Sequence, residues 1–340
     1  MADSPTPKPT ASAELNPGVN PCSAPLALWA QTALPLPSPV AVAYSGGADS
    51  TALLLAANAL WPQGVVALHV HHGLQAAAHG FETHVRTHCE RWGIACHVQH
   101  IQAQHTAGES PEAAARVGRY RALAQMAESL GAPCVLLGHH ADDQAETLML
   151  ALSRGAGLPG LAAMPMNFVR HGVRFARPIL AVDPQTVRAW LDGQGLEVVN
   201  DPSNNDLGFT RNRIRHGLLR VWRRDFVAYA QTLARSAEHA AQAQSLLDEL
   251  AQMDLQAVGV PPTIQGLQGL SGARQANALR HWLRTAHGVA PSQAQLKEVL
   301  RQIQACTTRG HRIELKVGAG VLQRRGQHLD WVLESNARLQ

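Results

Sequence analysis

The chain has 340 residues, of which 46% are hydrophobic and 16% charged, and its formal net charge is +4. This length predicts two or three folding units, and the composition excludes a minimal scaffold and a largely disordered chain. The five cysteines are scattered with no CxxC pair, which disfavours a disulfide framework and a cysteine-bound zinc or iron–sulfur centre. No apolar run approaches the roughly 20 residues of a membrane helix. We therefore expect a cytoplasmic protein with no membrane partner. The net positive charge favours a polyanionic binding partner.

Three segments divide the chain. Residues 1–25, rich in proline and small polar residues, are predicted to be a flexible leader, residues 26–220 a catalytic domain, and residues 221–340 a helical linker with a small C-terminal α+β domain. In the catalytic domain, buried strands are predicted at 40–44, 65–70 and 134–137, with helical periodicity between them. This alternation predicts an α/β fold with a doubly wound, mainly parallel sheet, whose ligand site lies beyond the carboxyl ends of the strands.

The clearest helix of this domain is predicted to begin with Ser110 as N-cap and Pro111 at its first position. Its inward face is predicted to carry Ala113, Val117, Tyr120, Ala124 and Ala127. Residues 153–180 are rich in glycine and proline, which predicts a long connection with little regular structure. Asp183 and Pro184 then start a short helix.

Helical patterns dominate the rest of the chain. One helical segment is predicted over 211–250, and two more helices over 273–285 and 292–304. Two short alternating segments, 311–317 and 328–333, are predicted to form a closing hairpin.

The strongest local signal is a short glycine- and serine-rich string between the first predicted strand and a leucine-rich helix. It consists of Ser45, Gly46, Gly47, Ala48, Asp49 and Ser50. Glycines allow a tight turn in which backbone N–H groups point at an anion, and the following helix adds its positive end. This string therefore predicts a phosphate-binding loop rather than a plain turn. Because the lysine of a Walker motif is absent, the loop does not predict γ-phosphate transfer.

The string SGGxDS resembles the pyrophosphate loop of the ATP pyrophosphatase superfamily. This resemblance implies an adenine nucleotide alpha hydrolase-like PP-loop fold, in which ATP is cleaved between its α- and β-phosphates and AMP is transferred to an oxygen of the substrate. Ligases of the amidotransferase type and tRNA-thiolating enzymes share the loop. The loop therefore indicates transfer of AMP from ATP but does not identify the substrate.

Further strings along the chain narrow the family. They are HVHHGL at 69–74, ARVGRY at 115–120, GHHADDQAET at 138–147, RGAG at 154–157, RPIL at 177–180, DPSN at 201–204 and TRNRIR at 210–215. This ordered set resembles the motif series of the tRNA(Ile)-lysidine synthase family, over residues 40–220 and weakly beyond. We expect one C-terminal α/β module here, in contrast to longer family members. How such a chain would distinguish tRNA(Ile) with a CAU anticodon from the similar methionine tRNA is left open.

Charged residues in these strings have more than one interpretation. Arg116 and Arg119 share one side of a helix, where they could meet phosphates or simply face solvent. Asp142 and Asp143 stand at the predicted first turn of a helix, with Glu146 one turn further on. These carboxylates could hold Mg²⁺ or bind a cationic amine, or they could simply cap the helix. The histidine-rich strings are interpreted as hydrogen-bonding imidazoles near phosphates rather than as a zinc site, because alternation along a strand splits HxHH between two faces.

A run of arginines interleaved with apolar residues predicts a helix with one basic side. It comprises Arg211, Arg213, Arg215, Arg220, Arg223 and Arg224. We prefer an RNA-backbone surface over a solvated helix face for this run.

The resemblance implies a two-step reaction on the wobble cytidine of tRNA(Ile) with a CAU anticodon, using ATP, Mg²⁺ and L-lysine. Adenylation of the C2 oxygen is followed by attack of the lysine amine. The implied catalytic residues are Asp49, Asp142, Asp143 and Arg116, with Asp49 also the metal ligand. The implied nucleotide-binding residues are Ser45, Gly46, Gly47, Ala48, Asp49, Ser50, His71, Arg116 and His139. The C-terminal domain is expected to bind tRNA, and a homodimer is possible.

Three other functions share some of these features. A tRNA thiolase of the same superfamily normally needs an arrangement of cysteines, which the dispersed cysteines here do not provide. A nucleotide-sensing RNA-binding protein with a dead site would have lost loop residues that are all present. An ammonia-dependent ligase for a small molecule is disfavoured by the arginine-rich run.

Overall fold

The computed structural model describes residues 18–33, 38–71, 78–101, 111–308 and 310–334. The chain divides into two compact units, Met1–Glu238 and His239–Gln340. The first unit extends past the boundary predicted at residue 220, because Tyr229 and Leu233 are buried in a core cluster of that unit. In the described part of the chain, no helix is both long and apolar enough to span a bilayer.

The helices and strands of the first unit alternate through most of its length. The helices are α1 (Ser23–Thr32), α2 (Ala48–Leu60), α3 (Ala78–Arg91), α4 (Pro111–Ser129), α5 (Ala141–Ser153), α6 (Leu158–Leu161), α7 (Pro184–Gly193), α8 (Thr210–Arg213), α9 (Leu219–Asp225) and the beginning of α10 (Tyr229–Val258). The strands are β1 (Val40–Ala43), β2 (Val65–His71), β3 (Ala95–His100), β4 (Cys134–Leu136), β5 (Asn167–Arg170) and β6 (Val173–Ala176). A 3₁₀ turn covers Pro202–Asn205, and a π-helical turn covers Ile214–Leu218.

The six strands form one sheet in the order β3-β2-β1-β4-β6-β5, and only β5 runs antiparallel to its neighbour. The predicted doubly wound, mainly parallel sheet is therefore confirmed. The central strands β1 and β4 consist of small and β-branched apolar residues with little solvent exposure, as expected for strands covered on both faces. The carboxyl ends of β1, β2 and β4 meet at one edge of the sheet.

The N-terminal boundary differs from the prediction. Residues 1–17 of the predicted leader lie outside the described residues, but α1 begins at Ser23, and Cys22 is fully buried. Leu26 and Trp29 of α1 enter the core, and the Trp29 indole Nε1 donates to Asn167 Oδ1 at 2.9 Å. Folded structure thus begins before residue 26, because a short apolar segment finds a place in the core that a proline-rich composition does not reveal.

The prediction for α4 is mostly confirmed. Its proposed N-cap Ser110 and the side chain of Ala113 lie outside the described residues, although the helix does begin at Pro111. Tyr120, Ala124 and Ala127 are buried as predicted, whereas Val117 is 36% exposed. Helical periodicity shows which residues share a face but not how far the neighbouring element extends along the helix.

The prediction that residues 153–180 form a long connection with little regular structure is wrong. This stretch forms α6 and a hairpin whose second strand, β6, pairs with β4 and extends the sheet. The two residues at the turn, His171 and Gly172, have φ values of 50° and 78°. Two successive left-handed residues suit the twist of a tight hairpin, but His-Gly is a weaker signal than Asn-Gly.

The second unit is a small α+β domain, as predicted. Its helices after α10 are α11 (Ile264–Gln268), α12 (Gly272–His287) and α13 (Gln293–Ala305), and its antiparallel sheet has the order β7 (Glu314–Val317), β8 (Gly320–Arg325), β9 (His328–Leu333). The predicted closing hairpin missed β8, whose polar second half does not alternate clearly. Ser292 caps α13 by a reciprocal pair of hydrogen bonds with Gln295.

Candidate active site

The loop between β1 and α2 is held in shape by its own hydroxyl groups. Ser45 Oγ and Ser50 Oγ lie 3.0 Å apart, and the Gly47 N–H donates to Ser45 Oγ at 3.3 Å. Gly46 has a φ of +84°, and a Cβ atom there would lie 2.9 Å from Val199 Cγ2, so glycine is required. Because the first N–H groups of a helix have no acceptor within that helix, the start of α2 offers donors to an anion.

The carboxyl end of β4 approaches this loop through Gly138. A Cβ atom at Gly138 would lie 3.0 Å from Ser50 N and 3.1 Å from the Asp49 carbonyl carbon. No side chain fits against this backbone without moving it. The close approach places the start of α5 directly beside the phosphate loop.

His140 connects the loop with α5. It is the N-cap of α5, where its Nδ1 accepts from Asp143 N at 3.4 Å and its own N–H donates to Asp143 Oδ2 at 3.1 Å. Since Nδ1 accepts a hydrogen bond, Nε2 is the protonated nitrogen of the ring. His140 Nε2 lies 3.6 Å from Asp49 Oδ2 and 3.4 Å from Asp143 Oδ2. A ring N–H therefore stands between the two carboxylates.

Asp49 has the properties of a cation ligand. Burial raises the pKa of its carboxyl group, and Asp143 raises it further, while His140 lowers it. Within the described ranges its buried Oδ1 has no hydrogen-bond partner. A carboxylate oxygen of this kind at a phosphate loop suits Mg²⁺, which prefers oxygen ligands.

The carboxyl groups of Asp143 and Glu146 lie on one side of α5 and share Arg215. The π-helical turn carries Arg215, whose Nε donates to Glu146 Oε1 at 2.5 Å and whose Nη2 lies 3.4 Å from Asp143 Oδ1. Burial raises the pKa of Glu146, with Arg215 opposing this effect. Burial also acts to raise the pKa of Asp143, but His140 and His139 lower it overall. Two neighbouring carboxyl groups thus have pKa values moved in opposite directions, a pattern typical of acid–base sites.

Asp142 has different surroundings from Asp143. It is buried, and its two carboxylate oxygens accept hydrogen bonds from Arg223 and from the Tyr229 hydroxyl. The Arg223 Nη2 also donates to the Tyr229 hydroxyl at 3.0 Å. Asp142 therefore ties α5 to α9 and α10, whereas the sequence had left the two aspartates equivalent.

An arginine cluster lies around Tyr120 and His139. Arg177 is 3% exposed and donates to the Tyr120 hydroxyl at 3.3 Å and to His139 Nδ1 at 3.2 Å. The guanidinium carbons of Arg116 and Arg119 lie 5.4 and 5.8 Å from the Tyr120 ring centroid. Burial lowers the pKa of Arg119, and the charge of Arg116 lowers it further, although Tyr120 opposes this. Among the residues that the structure describes, neither Arg116 nor Arg119 has a carboxylate within 4 Å, so this concentrated positive charge is suited to an anionic ligand.

His71, predicted to bind nucleotide, ends β2, the strand next to β1. It is 5% exposed, and its ring stacks on that of His100 at a centroid distance of 4.4 Å. The rest of its motif, residues 72–74, lies outside the described residues.

The arginine-rich segment is not one helix. It consists of α8, the π-helical turn and α9, and an extended residue at Phe226 separates α9 from α10. Arg215 and Arg223 turn inward to the carboxylates of α5, and Arg224 pairs with Asp225 at 2.6 Å. Three of the six predicted RNA-binding arginines have no carboxylate within 4 Å in the described part of the chain; they are Arg211, Arg213 and Arg220.

The sequence analysis gave Arg177 no role in the site, and it assigned no specific catalytic role to His140 or Glu146. The evidence for the roles of these residues lies in their contacts in the folded chain. Helical geometry groups Glu146 with Asp143, one turn earlier on the same helix, but it does not reveal that both contact Arg215. The contact of Arg177 with His139 joins two distant strings and is visible only in the fold.

A mainly parallel sheet with a phosphate loop after its first strand, and no Walker lysine, defines a PP-loop nucleotide-binding protein. A family model described as a PP-loop domain matches residues 30–222, and one described as a TilS substrate binding domain matches residues 263–329. A tRNA(Ile)-lysidine synthase from Polaromonas naphthalenivorans is 55% identical, covering 86% of this chain and 88% of that protein. The chain belongs to the tRNA(Ile)-lysidine synthase family.

Other similar proteins differ in length or in function. A tRNA(Ile)-lysidine synthase from Ralstonia nicotianae is 43% identical, and the match covers 85% of this chain but only 63% of that longer protein. Among solved structures, the U34-tRNA thiolase NcsA from Methanococcus maripaludis matches with a TM-score of 0.52 and 18% identity, covering 59% of this chain and 72% of that one. At this identity the likeness shows a common fold alone.

Proposed function

We propose that the protein is an ATP-dependent ligase that joins L-lysine to C2 of the wobble cytidine, at position 34, of tRNA(Ile) with a CAU anticodon. The products would be lysidine in the tRNA, AMP and pyrophosphate. Membership of the family supports this proposal, and one structural observation carries it. His140 lies within 3.6 Å of Asp49 in the phosphate loop and 3.4 Å of Asp143 in α5. The loop proposed to bind ATP and the carboxylate proposed to bind the attacking lysine amine are therefore close together.

In the first step, the C2 oxygen of the cytosine attacks the α-phosphorus of ATP, the bond to the β-phosphate breaks, and pyrophosphate leaves. The N–H groups at the start of α2 and the guanidinium of Arg116 stabilise the negative charge on the phosphates. Asp49 would hold Mg²⁺, which supplies further positive charge to the phosphates when bound. The step converts the cytosine oxygen into part of a leaving AMP.

In the second step, the ε-amine of lysine attacks C2, the C2–O bond breaks, and AMP leaves with that oxygen. The ammonium must first give up a proton, because only the free amine has a lone pair. Asp143 suits binding of the ammonium, since the nearby histidines keep its pKa low despite its burial. Glu146 suits acceptance of the proton, because burial raises its pKa. Asp142, engaged with α9 and α10, holds α5 in place.

Binding of the tRNA is assigned to two parts of the chain. The exposed arginines of the segment 211–224 lie in the same unit as the phosphate loop and supply positive charge for the RNA backbone. The second unit contains the region matched by the substrate-binding family model. A single-stranded anticodon base can leave its stack to enter a pocket, so the enzyme does not have to melt a duplex.

The alternative of a PP-loop tRNA thiolase or another adenylating ligase is less well supported. Among the five free cysteines, four are buried, and only Cys96 is partly accessible. A thiolase needs accessible thiols or a cluster to carry sulfur. Free thiols also fit the reducing environment of a cytoplasm, where we propose that the enzyme works. A homodimer stays a prediction.

Incubation of the purified chain with ATP, Mg²⁺, radiolabelled lysine and unmodified tRNA(Ile) with a CAU anticodon tests the proposal. We expect label in the RNA, equimolar AMP, and loss of both when the wobble cytidine is replaced by uridine. Release of AMP without incorporation of lysine would retain the adenylation chemistry and refute lysine as the second substrate.

A further inference from the structure

Two strands and a helix bring three potential metal ligands together at the edge of the sheet that carries the phosphate loop. His71 at the end of β2 and His100 at the end of β3 are paired in the parallel register, and their rings stack. Glu82 extends from α3, and its Oε2 lies 3.1 Å from His100 Nε2. One ligand atom from each of the three side chains lies within 4.8 Å of the others.

The three side chains differ in their exposure to solvent. His71 is buried, Glu82 is partly buried, and His100 is exposed, so one ligand is fixed in the packed interior and another is accessible from solvent. Arg86 donates to the other carboxylate oxygen of Glu82, Oε1, at 2.9 Å. This hydrogen bond fixes the carboxylate and leaves Oε2 directed at the imidazole of His100. A simple surface ion pair between Glu82 and His100 does not account for the buried imidazole of His71 beside them.

We infer that His71, Glu82 and His100 bind one transition-metal ion of the Zn²⁺ type, with a fourth coordination position left for water or an external ligand. Two imidazoles and a carboxylate are a common ligand set for zinc with an open position. A tetrahedral ion with bonds of about 2.1 Å separates its ligand atoms by roughly 3.4 Å. The three ligand atoms, now within 4.8 Å of one another, would have to approach, and the stacked imidazole rings would have to turn toward a common point, when the ion binds.

This site differs in chemistry and in residues from the one proposed for Mg²⁺. Mg²⁺ takes oxygen ligands and suits Asp49, whereas imidazole nitrogens favour Zn²⁺, Ni²⁺ or Cu²⁺. The histidine run at 69–72 is not itself the site. His69 Nδ1 lies 2.9 Å from the Tyr44 carbonyl oxygen, and the remaining ligands come from the neighbouring strand and helix. Alternation of side chains along β2 argues against a zinc site formed by the histidines of that strand alone. It does not argue against a site whose ligands come from two strands and a helix.

Occupation of the site would join α3 to the ends of β2 and β3. Both strands end at the sheet edge where nucleotide is proposed to bind, and His71 is itself one of the predicted nucleotide-binding residues. An ion that binds the folded chain and not the unfolded one raises the melting temperature. We therefore expect Zn²⁺ to raise the melting temperature of the chain in the absence of ATP and tRNA.

The test uses the untagged full chain, stripped of metal with a chelator and titrated with Zn²⁺ by calorimetry. We expect one ion per chain, and at least about tenfold weaker binding in Glu82→Gln and in His100→Ala. His97→Ala is the matched control, because His97 is an exposed histidine on the same strand but outside the cluster, and it should bind like the wild type. Wild-type affinity in His100→Ala, or no saturable binding of one ion, would overturn the inference.

A second measurement does not depend on variants. Co²⁺ in place of Zn²⁺ should give the visible bands of a nitrogen- and oxygen-ligated tetrahedral ion. A thiolate charge-transfer band in the near ultraviolet would assign the bound ion to the cysteines instead, and would equally overturn the inference.

Discussion

Arg215 donates from Nε to Glu146 Oε1 at 2.5 Å. Its guanidinium therefore already contacts the side of α5 that carries Asp143 and Glu146, where the proposed reaction requires the ammonium of lysine. The pair is almost completely enclosed on the Glu146 side, where the carboxylate is 2% exposed. Because an unpaired charge in such a position is costly, Arg215 satisfies Glu146 in the free protein. Lysine would then have to share these carboxylates with Arg215 rather than enter an empty pocket.

Glu146→Gln should separate the two steps of the reaction. The amide keeps the shape of the side chain but cannot accept the proton of the lysine ammonium. We expect lysine incorporation to fall by about 10²–10⁴-fold, while tRNA-dependent exchange of pyrophosphate into ATP is largely retained. Both rates are measured on the same preparation.

The matched control is Glu128→Gln, which makes the same change at an exposed position of α4. It should leave both rates unchanged. Equal loss of pyrophosphate exchange and lysine incorporation in Glu146→Gln would show that Glu146 supports the whole site rather than the second step.

Asp142→Asn and Asp143→Asn should have different consequences despite their adjacency. Asp142 connects to Arg223 and Tyr229, so its substitution should lower the free energy of unfolding by about 1–3 kcal/mol with little change in the KM for lysine. Asp143→Asn should raise that KM at least tenfold with a smaller change in stability. Chemical denaturation and lysine titrations measure the two quantities.

Tyr229→Phe provides a milder control, since it removes the hydroxyl that donates to Asp142 and accepts from Arg223 but keeps the ion pair between Arg223 and Asp142. Its stability should fall by about 1 kcal/mol without any change in the KM for lysine. A large increase in the KM for lysine in Asp142→Asn, with unaltered stability, would instead make Asp142 the ammonium-binding residue.

The site was partly predictable because several of its determinants are local in sequence. The phosphate loop requires a strand, two glycines and a helix start within a few residues, and Asp142 and Asp143 stand in the first turn of α5 as expected. The different surroundings of those two aspartates were not predictable. They depend on Arg215 and Arg223, about seventy to eighty positions away, and on a π-helical turn that no periodicity indicates.

The sheet shows the same division between local and distant determinants. The buried strands β1, β2 and β4 have apolar runs and were predicted, whereas β3, with partly exposed side chains, and the hairpin β5–β6 were not. The pairing of His71 with His100 follows from the parallel register of β2 and β3. Such a pairing has no signature in either segment alone.

Gly138→Ala should damage the phosphate loop through backbone displacement. The added Cβ would lie 3.0 Å from Ser50 N, and the neighbour is main chain that cannot rotate away. We expect a loss of about 1–3 kcal/mol in unfolding free energy and a fall of about 10²-fold in pyrophosphate exchange, because a small misplacement of reacting groups is costly.

Gly193→Ala is the matched control, because a Cβ there meets nothing within 4 Å. It should change stability by no more than about 0.5 kcal/mol and leave activity intact. Wild-type exchange activity in Gly138→Ala would show that the loop tolerates displacement at this contact.

His139 should make the protein less stable in mild acid. Burial lowers the pKa of His139 to about 3, and its Nδ1 accepts a hydrogen bond from Arg177, which the protonated ring could not do. In the unfolded chain a histidine has a pKa near 6.5, so between these values the unfolded state binds more protons and stability falls as pH falls. From pH 6.5 to pH 5 this amounts to about 1.6 kcal/mol.

His139→Gln should remove that part of the pH dependence, since glutamine can accept from Arg177 but does not titrate. Unfolding free energies at several pH values, compared with those of the exposed-site variant His97→Gln, measure the difference. A wild-type pH slope in His139→Gln would mean that other buried histidines cause the acid sensitivity.

The arginines of the segment 211–224 should differ in their contribution to tRNA binding. Arg220 is exposed and has no carboxylate within 4 Å among the described residues, whereas Arg224 is paired with Asp225. If Arg220 contacts a phosphate, Arg220→Gln should weaken tRNA binding and reduce the slope of log Kd against log salt by about 1. Arg224→Gln should change the slope less, because Asp225 already neutralises that charge. Filter binding at several salt concentrations measures both, and equal slopes in the wild type and Arg220→Gln would remove Arg220 from the RNA surface.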